Sequence, residues 1–598
     1  NRAFLPTRLR NKEYCFYVGW GTLREKKMDV KHGIKRVEID CNVYMQHTKK
    51  SFPDVEELMI GPDVDEICIP NTLFPNVQMV YSDSIFFLAG RYLVKKRNGR
   101  PTLLNAFCKD EALEISVIVS IADYALANSN IKKIPYNYSA LIRCEPMAFK
   151  DSYFEKQPFV NGVKTAGRII VAIDPEADEV ILPDEEYSMA TCAVGVNLAD
   201  VKHLVIHNPS SVCGHRINGV PKEITFIANP ETCCGGIIRV MHAAKPGDGY
   251  YVEKVNIIDK TGQFVEKDGV VYTSDMKTLV ACLLNVTNLV VPEGVEEIIS
   301  YAFENTRIRN IKLPDSLYIL NEKAFHNCRE LQSIDFGSGL ETIKGFAFKN
   351  CTSLTHVKLP PQMKSIERYA FCDSGVENIE LNEGLLLIHE GVFSGCKIDE
   401  LKLPDSLENI GTFNDASGIK CIKSSHFIKD IPLNACRTGA SSYLYDDEFD
   451  VVFRYDCGDK TVFLPRFVKK SDCYEFRTVI EGFLQEGYKS SLKNLSLYKY
   501  ANTIEGRERT AYLEYLEFHG EEQKAFLKKH GKQVFMMLLE ESDEEAIKFL
   551  GLGILTPKAK KDILEIVIKG ENYALSAAVL EAINDGKGAK IPNNKFSI

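Results

Sequence analysis

The chain has 598 residues, 45% apolar and 26% charged, with a net charge of −9. That length exceeds one core of usual size and calls for several domains or a repeat array. The acidic balance excludes a general attraction to nucleic acid or anionic membrane, and the longest apolar stretch, Thr278 to Val291, is interrupted by Asn285 and Asn288 and too short for a span.

Residues 1–33 read as a basic N-terminal cap. The first 36 residues hold ten Lys/Arg against Glu13, Glu25 and Asp29, a net +7 that leaves −16 for the remainder. Tyr14, Phe16, Tyr17 and Trp20 lie among them. Basic plus aromatic is a nucleic-acid footprint; the alternative is an amphipathic cap docked on the first repeat. The sequence begins at Asn1, and "NRAFLPTRLRNKEYCFYVGWG" has no signal-peptide apolar block.

Residues 34–288 carry a degenerate repeat. "FPDVEELMI" from Phe52 and "FPNVQMV" from Phe74 lie 22 residues apart, and Leu126 in "ADYALANSNIKKI" lies 23 before Phe149 in "EPMAFKDS". Two hairpins interrupt it: "RYLVKKRNGRPTLLNAF", turning at Asn98-Gly99, and "FVEKDGVVYTSDMKTLVAC", looping around Ser274-Asp275. "HLVIHNPSSVCGHR" offers His203, His207, Cys213 and His215. The first two share a strand face, but the spacing fits no zinc signature, and polar ends of an apolar strand explain them better. "TCCGG" (232–236) reads as a small-residue turn, because adjacent cysteines rarely bridge.

From 289 to 425 the repeat is regular. Phe303, Phe325, Phe348, Phe371, Phe393 and Phe413 are separated by 22, 23, 23, 22 and 20 residues. Pro292, Pro314, Pro360 and Pro404 form a second column, with Gly337 and Asn382 in its gaps. Each unit holds an alternating strand (Ile308-Ile311-Leu313, Leu331-Ile334-Phe336), a Pro-Asp/Glu-Gly/Ser turn, a second short run such as Leu340-x-x-Ile343, and a Phe-centred turn closed by Asn and Cys. One unit cannot bury its apolar face alone, so the units must stack into a solenoid. The columns resemble the BspA-type leucine-rich repeat, "Pro-x-Gly-Val-x-x-Ile-x-x-x-Ala-Phe-x-x-Cys-x-x-Leu-x-x-Ile-x-Leu", over residues 289–413. The resemblance implies an α/β leucine-rich-repeat array with a parallel β-sheet on its concave face.

Residues 426–474 read as a β-rich cap or linker, "SYLYDDEFDVVFRYDCGDKTVFLPRF" alternating apolar and polar. Residues 475–598 change to helical period. Ser542-Asp543-Glu544-Glu545 has the form of a capping box, Thr556-Pro557 opens a helix, and Gly551, Gly553 and Gly570 mark ends. This predicts a small all-helical domain of paired helices, and such tails resemble those of intracellular leucine-rich-repeat proteins of gut Firmicutes.

No GxSxG, P-loop, HExxH or strand-borne GxGxxG is present, so neither enzyme activity, cofactor nor metal is expected. A solenoid offers a long rigid surface, which suits a protein partner. The alternating charges Lys312, Asp335, Lys358, Glu380 and Lys402 would pair across strands. The candidate partner-binding columns are therefore Asn310, Ser333, His356, Asn378 and Glu400, and beside them Arg309, Gln332, Thr355, Glu377 and Asp399. The expected function is a non-enzymatic protein-interaction scaffold. Its 18 Cys, scattered through apolar patterns without CxxC, imply reduced thiols and a cytoplasmic home. The alternatives are an accessory or sensor subunit of a bacterial nucleoprotein or defence assembly, acting through the basic N-terminus, and a surface adhesin, extracellular, if a signal peptide precedes Asn1.

Overall fold

The computed structural model describes residues 14–17, 23–24, 30–97, 100–114, 118–134, 143–145, 147–167, 169–182, 188–189, 201–207, 209, 221–244, 252–283, 286–412, 419–429, 431–434, 436–438, 451–485, 495–570 and 572–584. They fall into two compact units, Asn1–Glu266 with Leu283–Asn285, and Lys267–Cys282 with Val286–Ile598.

In the first unit, strands Tyr14–Tyr17, Arg36–Ile39, Glu57–Ile60 and Met79–Ser82 pair in parallel, with Arg36, Glu57 and Met79 in register. Alternation turns Val37, Ile39, Leu58, Ile60 and Val80 inward, where all are buried. A second parallel sheet, Leu23–Arg24, Val43–Tyr44 and Ile67–Cys68, contributes Val43 and Ile67 to the same core. The expected hairpin follows, Leu93–Arg97 against Arg100–Asn105; its turn, Asn98-Gly99, lies outside the described residues. Farther on, Glu179–Ile181, His203–Ile206, Glu223–Ala228 and Lys254–Asp259 form a parallel sheet.

Between the last two of these strands the structure corrects the turn expected at 232–236. Cys234 opens helix α1 (Cys234–Ala244), which buries Ile237, Ile238, Val240 and Met241. Its glycine has a packing reason: a Cβ at Gly236 would sit 3.0 Å from Pro209 Cγ.

The second unit starts with the other expected hairpin, Val270–Thr273 against Thr278–Cys282. The regular repeats then run as a solenoid with strands on two sides, one side a continuous sheet and the other broken into shorter ones, where a single parallel sheet was expected. The second runs of the repeats, Glu297–Ile298, Ile319–Leu320, Thr342–Ile343, Ser365–Ile366, Leu387–Ile388 and Asn409–Ile410, are strands of one continuous sheet. The three-residue strands lie apart from it, and both kinds turn their apolar residues into one core.

The Phe-centred turns explain the period. Phe303, Phe325, Phe348, Phe371 and Phe393 are buried and stacked, with successive ring centroids 4.5, 5.1, 5.1 and 6.4 Å apart and ring planes within 14° of parallel. Phe413 lies outside the described residues. Two left-handed positions flank each Phe, at Tyr301, Lys323, Phe346, Tyr369 and Gly391 before it and at Asn305, Asn327, Asn350, Asp373 and Gly395 after it. Asn and Asp tolerate this conformation better than other residues with a Cβ. At Gly391 a Cβ would lie 2.3 Å from the Tyr369 ring, so a side chain there would have to displace that ring. The degenerate unit at Leu126 has the same form: Tyr124 and Asn128 have φ of 61° and 55°, and the Leu126 N–H donates to Ala148 O at 2.9 Å.

The Asn column also bonds to itself. Asn350 has φ of 62°, and its Nδ2 donates to Asn327 Oδ1 at 2.7 Å. Asn350→Ala is expected to destabilise this turn by about 1–2 kcal/mol, and Asn350→Gly by less, because glycine keeps the backbone free and loses only the amide bond. Hydrogen exchange at Cys351 and Cys372 in the two variants checks this order.

The thiols in these turns are structural. Cys328, Cys351 and Cys396 are buried, and their Sγ atoms donate to Phe303 O, Phe325 O and Phe371 O at 2.9, 3.1 and 3.1 Å. Burial pushes the Cys396 thiol up to about 12 and the Cys351 thiol well above the ordinary range. Both stay protonated and unreactive.

A hairpin, Val452–Cys457 against Lys460–Pro465, continues the three-residue-strand side through Cys421–Ser424. Residues 439–450, which begin the alternating stretch read as a cap, lie outside the described residues. A short helix α2 (Ile431–Asn434) precedes the hairpin, and α3 (Cys473–Leu484) packs Phe476, Ile480 and Leu484 into the repeat core. The remaining helices, α4 (Ile504–Phe518), α5 (Glu521–Glu541), α6 (Asp543–Gly551), α7 (Pro557–Lys569) and α8 (Tyr573–Asn584), share a second core around Tyr512, Phe535, Phe549, Ile563 and Val579. Ser542 Oγ accepts from Glu545 N–H at 3.2 Å and Thr556 Oγ1 from Ala559 N–H at 3.2 Å, capping α6 and α7. The Glu545 carboxylate does not complete a capping box; Lys548 Nζ and Tyr512 Oη hold it at 2.8 and 3.2 Å.

Candidate protein-binding face

The candidate residues lie on the three-residue strands and immediately before them. Strands Asn288–Val290, Asn310–Lys312 and Ser333–Asp335 pair in register, as do His356–Lys358 and Asn378–Glu380, and Glu400–Lys402 pairs with Cys421–Ser424. Their middle residues, Leu289, Ile311, Val357 and Leu401, point inward and are buried. The residues on either side must then point outward. Arg309, Asn310, Gln332, Ser333, Thr355, His356, Glu377, Asn378, Asp399 and Glu400 are all exposed.

The charges beside them largely neutralise each other. Lys312 lies 3.8 Å from Asp335 and Lys358 3.1 Å from Glu380. The expected ladder is nevertheless not continuous: the strands form separate sheets of three and two with a break after Ser333–Asp335. Among the described residues no ion pair joins Asp335 to Lys358 or Glu380 to Lys402. Within the candidate columns Arg309 is held by Glu330 at 2.9 Å, Asp399 by Lys420 at 3.3 Å and Glu400 by Lys423 at 2.6 Å, while His356 faces Glu380 at 3.6 Å.

The neutral side chains form a row of their own. Asn310 Nδ2 donates to Asn288 Oδ1, and Ser333 Oγ donates to Asn310 Oδ1, each at 2.7 Å. Asn288 belongs to this column although sequence reasoning started the column at Asn310. The in-register Leu289 and Ile311 were the signal for it. Each amide keeps further donors and acceptors for a partner. The face can therefore offer hydrogen bonds without a net field, and nothing in it resembles a catalytic group with an activating base.

Elsewhere, His203 is placed between its neighbouring strands. His203 Nε2 shares a hydrogen bond with Thr225 Oγ1 at 2.8 Å, and its Nδ1 lies 2.8 Å from Glu179, on the two flanking strands. Cys213 and His215 lie outside the described residues, as does most of the basic segment 1–29. Among the described residues, no three His, Cys, Asp or Glu side chains come together to hold a metal, and no helix is long and apolar enough to cross a membrane.

Comparison with known proteins matches the chain to the family described as BspA type leucine rich repeat region, in six copies over residues 281–375 and 341–441. No curated protein matches it. Among solved structures it is similar to a leucine-rich repeat protein of Eubacterium ventriosum (13% identity, 64% of this chain and 83% of that one, TM-score 0.27). It is also similar to a leucine rich cell surface protein of Faecalibacterium prausnitzii (15% identity, 66% and 85%, TM-score 0.25) and to the leucine-rich repeat protein of T. pallidum (22% identity, 27% and 70%, TM-score 0.20). These superpositions are too low to carry an argument; the family match falls on the repeats with stacked Phe rings. Residues 281–441 of this chain match the BspA-type leucine-rich repeat family.

Proposed function

We propose that this chain is a non-enzymatic scaffold that holds a protein partner on the outer face of its three-residue strands, without a cofactor. The observation that supports the reading is the set of ten exposed candidate side chains on consecutive repeats, with Arg309, Asp399 and Glu400 held by charged neighbours outside the set. A rigid stack presents such a row at about 4.8 Å spacing, a pre-organised surface that loses little entropy on binding. Cys351, Cys396 and Cys436 are buried thiols outside any disulfide, which supports a reducing, cytoplasmic setting.

The test is to recover the tagged chain from its native cells, identify the co-purifying protein, and repeat with Ser333→Arg/Asn378→Arg. Both positions are exposed on the face, so fold stability is expected to change by no more than about 0.5 kcal/mol. Loss of the partner with an unchanged melting temperature is the expected result. Retention of the same partner by the double variant would sink the reading, and loss of the partner on nuclease treatment of the wild type would move attention to the basic segment 1–33.

A further inference from the structure

In the first unit the outward residues of the strands carry a different balance of charge. Alternation leaves Arg36 and Glu38, Glu57 and Met59, and Met79 and Tyr81 on the outer side of the strands Arg36–Ile39, Glu57–Ile60 and Met79–Ser82. The register aligns them as two rows, Arg36–Glu57–Met79 and Glu38–Met59–Tyr81. The Gly61 N–H donates to Ile39 O at 2.8 Å and the Asp83 N–H to Ile60 O at 2.9 Å, so Asp40, Gly61 and Asp83 extend the face as a third row. Gly61 leaves that row open to the Asp40 carboxylate: a Cβ there would lie 2.5 Å from Asp40 Oδ1. Part of the face is apolar. Met79 and Tyr81 are 36% and 38% exposed, and Ile85 and Phe86, in the loop that follows, are 78% and 40% exposed.

The cations nearby are already taken. Lys35 is held by Glu56 at 2.6 Å and Arg36 by Glu57, and the Arg36 guanidinium lies 5.6 Å from the centre of the Tyr81 ring. Glu38, Asp40, Asp83 and, beside Asp40, Asp63 are left over: among the described residues none of the four has an ion-pair partner. Burial and the Asp40 and Asp83 carboxylates hold the Glu38 carboxyl above the ordinary range, and burial and Asp63 do the same for Asp40. These carboxylates therefore act on one another across the face. Their surplus decides the charge of an occupant, because it repels the phosphates of nucleic acid and of anionic lipid. It is also spread out. Asp40 and Asp83 stand two strands apart, about 9–10 Å, and among the described residues no three such groups converge on a metal ion. Several cations spaced along one chain meet this face better than a single small cation does, and apolar side chains between them cover Met59, Met79 and Tyr81.

We propose that this outer face docks a basic, amphipathic segment of a protein partner, its lysines or arginines over the carboxylates and its apolar side chains over Met59, Met79 and Tyr81. That the segment belongs to another protein rests on the scaffold reading given above; the chemistry of the face stands without it. The experiment labels the methionine methyl groups of the full chain and adds the peptide acetyl-Lys-Leu-Lys-Phe-Lys-Leu-Lys-amide. Two comparison peptides carry Ser in place of Leu and Phe, or Glu in place of Lys. A saturable shift of the Met59 and Met79 signals is expected with the first peptide, about tenfold or more weaker with the Ser peptide and absent with the Glu peptide. Asp40→Asn/Asp83→Asn, at two exposed positions, should weaken binding by about tenfold or more with an unchanged melting temperature. Met536 and Met537 on α5 serve as internal references and should not move. Equal affinity for the double variant or the Ser peptide would overturn the docking face, as would shifts at Met536 and Met537 as large as those at Met59. So would the absence of a saturable shift with the Lys peptide in both the wild type and Arg8→Ser/Arg10→Ser. A shift seen only in Arg8→Ser/Arg10→Ser would mean that this chain's own basic segment takes the face; it would overturn the partner source alone and leave the scaffold reading to its own test.

Discussion

Phe348→Ala is expected to destabilise the regular repeats by about 3–5 kcal/mol, the usual cost of removing a buried Phe side chain. The ring lies between Phe325 and Phe371 with centroids 5.1 Å away on each side, and Phe336 meets it edge-on at 5.7 Å. Its loss leaves a cavity that both neighbours line, and a solenoid cannot redistribute that loss beyond adjacent units. The effect should therefore be local first. The Phe325 N–H donates to Ala347 O at 2.8 Å and the Phe348 N–H to Ala370 O at 2.7 Å, and their hydrogen exchange should accelerate before that of the α4–α8 core changes. Phe348→Leu should cost clearly less, since Leu126 fills the same place in the degenerate unit and is completely buried there. If the alanine variant lost under about 1 kcal/mol, the Phe column would be a by-product of the period instead of its cause.

That column is also why so much of the fold could be read from the chain. A stacked side chain must recur once per turn, so spacing alone exposes the repeat, and the left-handed position after it selects Asn, Asp or Gly. The helix starts at Ser542 and Thr556 were legible for an equally local reason, a side-chain oxygen accepting a first-turn N–H. Where local and tertiary preferences part, the reading failed. Cys233-Cys234-Gly235-Gly236 has turn chemistry, but the apolar face of Ile237, Val240 and Met241 needs cover, and burial turns the segment into a helix. The candidate face was legible as a set of outward positions, because strand alternation decides it. The breaks in its sheet and the Asn288–Asn310–Ser333 row were not, since they depend on how the strands are spaced and which rotamers meet.

The α4–α8 core should respond to pH. Glu514 is completely buried in α4; burial pushes its carboxyl up to about 8, against the opposing pull of hydrogen bonds from the Leu497 N–H and from Gln523. In the unfolded chain it titrates near 4.5. Between these values the folded state holds a proton that the unfolded state has released, so stability falls as pH rises through this window, by about 1.4 kcal/mol per unit for this group, and levels off above it. This is the reverse of an ordinary ion-paired carboxylate, whose contribution is lost as pH falls. Unfolding of the α4–α8 core, followed by hydrogen exchange at Tyr512 and Phe535 from about pH 5 to 9, should show that slope. Glu514→Gln should flatten it. The variant's amide can still accept from Leu497 N–H, but its nitrogen then faces Gln523 Nε2, so its stability should carry a constant cost at every pH. Parallel pH dependences in wild type and variant would mean that Glu514 stays ionised in the folded state, paired by a rearrangement of Lys499 away from Glu522.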